Sequence, residues 1–147
     1  MITNYQLAAA LLLVPTYGNP LGHVMEDEAK QRLVSLLKRH EVPLVEDDVY
    51  GELTHGDRRP HAVKAFDDSG LVLYCSSFSK TLAPGYRVGW TAPGRYRREV
   101  ERLKFSSSVS SATPTQIAVA TFLEQGGFDR YLRRLRRVYR DNCARMA

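Results

Sequence analysis

The chain of 147 residues carries 21 lysines and arginines against 16 aspartates and glutamates, which gives a formal net charge of +5 at pH 7. With 44% apolar and 25% charged residues, its composition is that of a folded globular domain and excludes a disordered chain. The longest apolar run, over residues 7–14, is about half the length that a membrane-spanning helix requires. At this length we expect one domain. Cys75 and Cys143 are too few for a disulfide framework, so we expect the reducing cytoplasm as its location.

Short apolar runs and amphipathic segments alternate along the chain. In chain order they predict a strand over 8–14, a helix over 25–40, strands over 42–45, 71–74 and 86–91, and helices over 99–105, 115–124 and 128–146. The apolar stripe predicted for the first helix consists of Ala29, Leu33, Leu36, Leu37 and His40. This order of elements predicts an α/β fold with a mostly parallel sheet that ends in a long helix.

The positive charge is concentrated in the last third of the chain. Residues 95–147 hold 12 basic and 5 acidic side chains, and the helix over 128–146 places Arg130, Arg133, Arg134, Arg136, Arg137 and Arg140 mostly between its apolar positions. Such a face can bind nucleic acid, but no turn-helix pattern accompanies it. We therefore interpret it as the solvated side of an amphipathic helix.

Polar clusters follow three of the predicted strands, over residues 18–22, 46–51 and 76–80. Because the carboxyl ends of parallel strands meet at one edge of a sheet, these clusters are expected to form a ligand site. A lysine among hydroxyls, a nearby arginine and a carboxylate at a neighbouring strand end suit pyridoxal 5′-phosphate. That cofactor requires an amine, an acidic partner for its ring nitrogen and an anion-binding cup. The histidines lack the spacing of metal ligands, so no metal is predicted; they are His23, His40, His55 and His61.

Three motifs resemble those of fold-type I, pyridoxal-phosphate-dependent aminotransferases of classes I and II. SFSKTLAPGYRVGW over 77–90 is similar to the family's cofactor-lysine motif, and NPLG over 19–22 and EDDVYG over 46–51 resemble the two motifs that precede it. They occur in the family's order. The resemblance implies the large domain of the fold-type I transferases, with its mostly parallel sheet.

The resemblance also implies roles for residues around the cofactor ring. Lys80 corresponds to the lysine that forms the Schiff base and moves a proton, which makes it the catalytic residue. Asp47 would pair with the pyridine nitrogen, and Tyr50 and Asn19 would hydrogen-bond the phenolic oxygen of the ring. Asp48 is an alternative to Asp47, and the choice rests on the Asp-x-x-Tyr spacing to Tyr50.

The phosphate of the cofactor is expected to bind Ser77, Ser79 and Arg87, again by resemblance. Taken singly, each of these residues has a simpler interpretation: the serines would cap a helix, and the arginine would lie on the surface. Their occurrence together, in the family's order, favours the cofactor site.

Members of the family are more than twice as long as this chain. We therefore expect residues 1–147 to be part of the large domain, with 127–147 leading towards a further small domain. Residues 1–10 are expected to lie outside the resemblance and to derive from the vector. The glycine-containing phosphate loop, the stacking aromatic residue and the arginine that binds the substrate carboxylate are not recognisable. The chain alone is accordingly expected not to transaminate.

Three functions are compatible with the motifs. The first is the cofactor-sensing or effector-sensing domain of a MocR-type regulator of the GntR family. This function is favoured because the sequences of segments 46–53, 74–87 and 131–139 resemble that subfamily more closely. The second is a fragment of a free-standing aminotransferase, and the third is an interaction module with a vestigial site. The expected partners are an amino acid or amine and a second copy in a homodimer, with DNA bound only through a domain outside this chain.

Overall fold

The computed structural model describes residues 9–54, 56 and 58–146, and all structural statements refer to these residues. Six strands are present: β1 (Leu11–Leu13), β2 (Thr16–Gly18), β3 (His23–Val24), β4 (Leu44–Asp47), β5 (Val72–Ser77) and β6 (Gly89–Ala92). Four α-helices accompany them: α1 (Asp27–His40), α2 (Arg97–Ser108), α3 (Thr113–Glu124) and α4 (Gly127–Met146). The predicted α/β class is confirmed.

The main sheet has the strand order β1-β4-β5-β6. The first three strands are parallel, with Leu11 opposite Leu44 and Leu44 opposite Val72. β6 runs antiparallel to β5, and Ser77 pairs with Gly89. The sheet is therefore mostly parallel, and β1, β4 and β5 end at the same edge.

One face of the sheet carries the hydrophobic core. Alternate strand residues point to this face, where α1 and the short turn over 63–66 cover them. The buried residues of this core are Val34, Leu37, Leu44, Val63 and Val72. On the opposite face Leu12, next to Val45 in the sheet, is 68% exposed. One face of the sheet is thus covered by α1 and the turn over 63–66, while the opposite face is exposed at Leu12. Neighbouring residues on a strand therefore have different surroundings.

The buried face of α1 is rotated relative to the predicted stripe. Lys30, Val34 and Leu37 are the buried residues of the helix, whereas the predicted core positions Leu36 and His40 are exposed. Lys30 is only 1% exposed, and its amine donates a 3.3 Å hydrogen bond to Asp27. The apolar pattern alone predicts the wrong stripe, because the buried face of α1 includes a lysine whose charge is paired with Asp27.

Several predicted boundaries shift. The first strand is shorter than the predicted 8–14, of which Ala8 lies outside the described residues. The polar linker after it forms the small antiparallel hairpin of β2 and β3, which the breakers Gly18 and Pro20 did not predict. The strand predicted over 86–91 begins only at Gly89, because Tyr86 belongs to a 3-10 turn over Pro84–Tyr86.

The helices after β6 are longer at their amino ends than predicted, and they pack loosely. α3 and α4 contact each other, and α4 also contacts the turn over Gly51–Leu53. α2 has no buried residue. No helix among the described residues is both long and apolar enough to cross a membrane.

Candidate functional site

The acidic cluster at the end of β4 is divided between the two faces of the sheet. Glu46 and Asp48 are 0% and 1% exposed, whereas Asp47 between them is half-buried. Glu46 accepts hydrogen bonds from the amides of Val63 (2.7 Å) and Lys64 (2.9 Å), on the side that α1 covers. Because side chains alternate along a strand, Asp47 points to the opposite face.

Asp48 belongs to a buried polar cluster. Its Oδ2 accepts a 2.9 Å hydrogen bond from the Tyr74 hydroxyl and an ion-paired hydrogen bond from Arg59 Nη2. Arg59 Nη2 also lies 3.1 Å from the Tyr74 oxygen, and the backbone carbonyl of Asp48 accepts from the Ser76 hydroxyl at 3.1 Å. These contacts commit Asp48 to the structure of the strand end.

Burial dominates the electrostatics of this cluster. Burial raises the pKa of the Asp48 carboxyl, and the Arg59 charge and the Tyr74 hydrogen bond offset only part of that rise. Burial and the adjacent Asp48 also raise the pKa of Tyr74 to about 12, so its hydroxyl donates at neutral pH. For Arg59, burial lowers the pKa, but the negative charges of Asp48 and Glu52 outweigh it and raise the pKa above the ordinary value.

Asp47 is much less committed than its neighbour. Its Oδ1 accepts one hydrogen bond, from the Val49 amide at 3.2 Å. It pairs in the sheet with Cys75, on the face that also carries Leu12. Asp47 is therefore the less committed of the two aspartates, and its role towards a ligand stays a prediction from the spacing to Tyr50.

Lys80 and Tyr50 come together across two strand ends. Lys80 is exposed in the turn that follows β5, and Tyr50 follows β4. The Lys80 ammonium lies 5.5 Å from the centre of the Tyr50 ring, within reach of a cation–π contact. The primary amine of the site is therefore accessible and lies beside the phenol, as the parallel topology predicted.

The turn between β5 and β6 carries the predicted anion-binding residues. Ser77 Oγ accepts a 3.4 Å hydrogen bond from the Ser79 amide. The Phe78 amide donates to the Val88 carbonyl at 3.0 Å, which brings Arg87 alongside this turn. Arg87 is exposed and has a positive φ of 52°, and it forms no hydrogen bond to Ser77 or Ser79 within the described part of the chain.

Asn19 lies apart from the other candidates. It is exposed in the turn between β2 and β3, next to Pro20, and it makes no side-chain hydrogen bond within residues 9–54 or 58–146. The Tyr17 hydroxyl of this hairpin donates a 2.9 Å hydrogen bond to Thr54 Oγ1, which follows the β4 end. Asn19 was expected directly after the first strand; it lies instead in the turn of the β2–β3 hairpin, and the structure does not bring it into contact with Tyr50 or Lys80.

Two arginines at this edge were not predicted as part of the site. Arg59 Nε donates to Glu52 Oε1 at 2.7 Å, and Arg136 Nη2 donates to Glu52 Oε2 at 3.1 Å. The prediction placed Arg136 on the solvated face of α4, but it is half-buried and turned towards Glu52. No periodic signal marks Arg59, because it lies in a loop and its partners become neighbours only through the sheet.

The donor set fits pyridoxal phosphate. An accessible amine at Lys80, an uncommitted carboxylate at Asp47 and a phenol at Tyr50 lie at one sheet edge with the hydroxyl turn beside Arg87. These are the groups that a carbonyl cofactor with a basic ring nitrogen and a phosphate requires.

Comparison with known proteins gives the family. A family model described as aminotransferase class I and II matches residues 2–146. The chain therefore belongs to the class I and II aminotransferase family, which confirms the resemblance. The match includes residues 2–10, which were expected to lie outside the resemblance.

Relatives of two kinds are similar to the chain. The HTH-type transcriptional regulator YjiR of Escherichia coli is 46% identical over 134 residues, which cover 91% of this chain and 28% of the regulator. The kynurenine aminotransferase of Pyrococcus horikoshii, solved in complex with PMP, superimposes with a TM-score of 0.85 at 31% identity, over 90% of this chain and 33% of the enzyme. LysN, the alpha-aminoadipate aminotransferase of Thermus thermophilus, is solved with N-(5′-phosphopyridoxyl)-L-leucine. It superimposes with a TM-score of 0.80 at 32% identity, over 90% of this chain and 35% of LysN. The chain thus spans about a third of the relatives it matches.

Proposed function

We propose that this chain is a pyridoxal-phosphate-binding, aminotransferase-like domain that senses the cofactor or an amine in a transcriptional regulator of the MocR type. The observation that carries the proposal is the pairing of Lys80 with Tyr50 beside an uncommitted Asp47. The 46% identity to an HTH-type regulator supports the regulatory role. DNA would be bound by a domain outside this chain, and the assembled parent would be a cytoplasmic homodimer.

Each residue of the site has a definite task in this proposal. When bound, the cofactor supplies an aldehyde that reacts with amines and a ring that withdraws electrons. Lys80 would supply the amine that condenses with this aldehyde with loss of water, and its Nζ would afterwards carry a proton. Asp47 would hold a proton on the ring nitrogen, because a carboxylate stabilises a neighbouring cation.

The remaining residues would bind and orient the cofactor. Tyr50 and Asn19 would donate hydrogen bonds to the phenolic oxygen of the ring. Ser77, Ser79 and Arg87 would bind the phosphate, with the guanidinium of Arg87 supplying the counter-charge. An amino acid or amine that competes with Lys80 for the aldehyde would be the effector.

A second function, part of a free-standing aminotransferase, is favoured by the structural comparison. Both solved relatives are aminotransferases with the same fold at 31% and 32% identity. In that case the same residues would serve turnover, and an amino acid and a 2-oxo acid would be the substrates.

We expect the purified chain to bind pyridoxal phosphate covalently through Lys80. Titration with the cofactor should produce an absorbance band near 420 nm, and borohydride should fix the cofactor to a single peptide that contains Lys80. The Lys80→Ala variant should lose both the band and the adduct, while Lys104→Ala, which removes an exposed lysine on α2, should keep them. Mass spectrometry of the tryptic peptides locates the adduct.

The outcome separates the alternatives. An adduct that persists in Lys80→Ala would remove Lys80 from its proposed role. No adduct in the parent chain would count against cofactor binding by this chain. The gene that encodes the full reading frame then decides between a regulator and an enzyme: a winged-helix segment supports the first, and turnover of an amino acid with a 2-oxo acid supports the second.

A further inference from the structure

Glu52 lies between two arginines that come from different parts of the fold. Arg59 donates to one carboxylate oxygen at 2.7 Å, and Arg136 of α4 donates to the other at 3.1 Å. Arg136 Nε also donates to the backbone carbonyl of Glu52 at 2.7 Å. All three side chains are about 30% exposed, so these contacts are partly shielded from water.

Arg59 holds both ends of the short segment that runs from Asp48 to Glu52. Arg59 binds Asp48 at the close of β4 as well as Glu52 four residues later. The space between them is filled, because a Cβ on Gly51 would lie 2.8 Å from Asp48 Oδ2 and 2.9 Å from Arg59 Nη2. Residues 48–52, the tyrosine segment, are therefore fixed at both ends, and Tyr50 is at their centre.

The position of Tyr50 depends on this backbone. Within the described residues the Tyr50 hydroxyl makes no hydrogen bond, and the Lys80 ammonium lies over the Tyr50 ring. Its carbonyl accepts from the Leu53 amide at 2.8 Å in the turn that also carries Glu52. A shift of this turn would move the Tyr50 ring relative to the Lys80 amine.

We propose that Glu52 is a positioning residue: by binding Arg59 and Arg136 together, it holds Tyr50 against Lys80 and joins α4 to the cofactor site. The inference rests on the proposed function in so far as Tyr50 and Lys80 serve the cofactor. The Tyr50–Lys80 placement itself is a property of the cofactor-free chain. Displacement of α4 would be transmitted to Tyr50 through Arg136 and Glu52.

The placement can be read without cofactor by NMR. Reductive ¹³C-dimethylation labels the five lysines, and the Lys80 signal is assigned by its loss in Lys80→Arg. The Tyr50 ring should displace this signal upfield, and Tyr50→Leu should abolish the displacement. Glu52→Ala should lose at least half of it, and Glu52→Gln, which keeps the oxygen that accepts from one arginine, should retain more.

Amide hydrogen exchange gives a second readout of the same variants. In Glu52→Ala the Leu53 amide and the amides around Arg136 should exchange at least tenfold faster, while those of β5 stay unchanged. The matched control is Glu101→Ala, which removes an exposed glutamate paired with Arg97 at 2.8 Å; it should change neither readout. The affinity for pyridoxal phosphate should fall at least fivefold in Glu52→Ala and stay unchanged in Glu101→Ala.

The outcomes distinguish the two proposals. An unchanged Lys80 signal in Glu52→Ala overturns the positioning role, even if exchange accelerates, because the segment would then be loosened without moving Tyr50. Unchanged exchange around Arg136 overturns the connection to α4. A parent chain that shows the Tyr50 displacement but binds no pyridoxal phosphate overturns the proposed function and leaves the positioning role supported.

Discussion

The Asp47→Asn variant is expected to keep the stability of the parent and to lose most of its affinity for pyridoxal phosphate. Asp47 is half-buried and accepts one hydrogen bond, from the Val49 amide, which an asparagine oxygen also accepts. The free energy of unfolding should therefore change by less than about 0.5 kcal/mol. If Asp47 pairs with the ring nitrogen as proposed, loss of its charge should weaken binding at least about tenfold, since a charge-assisted hydrogen bond contributes roughly 1.5–3 kcal/mol.

The neighbouring aspartate provides the control. Asp48→Asn places an amide group against Arg59 and Tyr74 and leaves the guanidinium without its buried counter-charge. We expect it to lower the free energy of unfolding by about 2–4 kcal/mol. Urea denaturation and cofactor titration of both variants test the assignment. Stability lost at position 47 but not at position 48 would reverse the roles of the two carboxylates.

Asp67→Ala is expected to have the second large effect, on stability. The Asp67 side chain is fully buried and accepts from the amides of Ser69 (3.0 Å), Leu71 (3.3 Å) and Val72 (2.9 Å), just before β5. Lys64 donates to it at 3.0 Å. Alanine would leave these donors without an acceptor, so the free energy of unfolding should fall by about 3–5 kcal/mol. The adjacent Asp68→Ala, which removes an exposed pair with Lys38, should cost less than about 1 kcal/mol.

The contribution of Asp67 should also depend on pH. Burial raises the pKa of Asp67, but the hydrogen bonds from Val72, Ser69 and Lys64 outweigh it and lower the pKa from 3.8 to about 2. A carboxyl with a lowered pKa stabilises the fold above its unfolded-state pKa and loses that effect as the pH falls towards the folded-state value. About 2.5 kcal/mol should therefore be present at pH 7 and decline between pH 4 and pH 2. A difference between parent and Asp67→Ala that stays constant over this range would contradict the mechanism.

The sequence was most informative where a strand ends in polar residues. The apolar runs over 42–45 and 71–74 predicted parallel strands, and the structure brings Lys80 to Tyr50 at their ends. It could not predict the direction of β6, because an isolated strand pattern contains no direction. It also missed Arg59, whose partners Asp48 and Glu52 are 11 and 7 residues away along a loop without periodicity.

The helices illustrate the same limit. Apolar periodicity located α1 and α4 but misjudged which side chains they bury, since it could not register the paired Lys30 or the inward Arg136. Both exceptions are long cations that are paired with a carboxylate. Arg136 finds its partner 84 residues earlier in the chain, a tertiary contact that a helical pattern does not contain, whereas Lys30 and Asp27 lie three residues apart on α1 and an apolar pattern leaves both out.

The alternation of carboxylates at the end of β4 restricts how this protein can change in evolution. Gain or loss of one residue within Leu44–Asp47 would shift the register by one and turn Glu46 or Asp48 towards the face that Asp47 now occupies. A single deletion would thus exchange a carboxylate committed to the fold for one that is free. We expect lineages of this domain to keep the length of β4 constant.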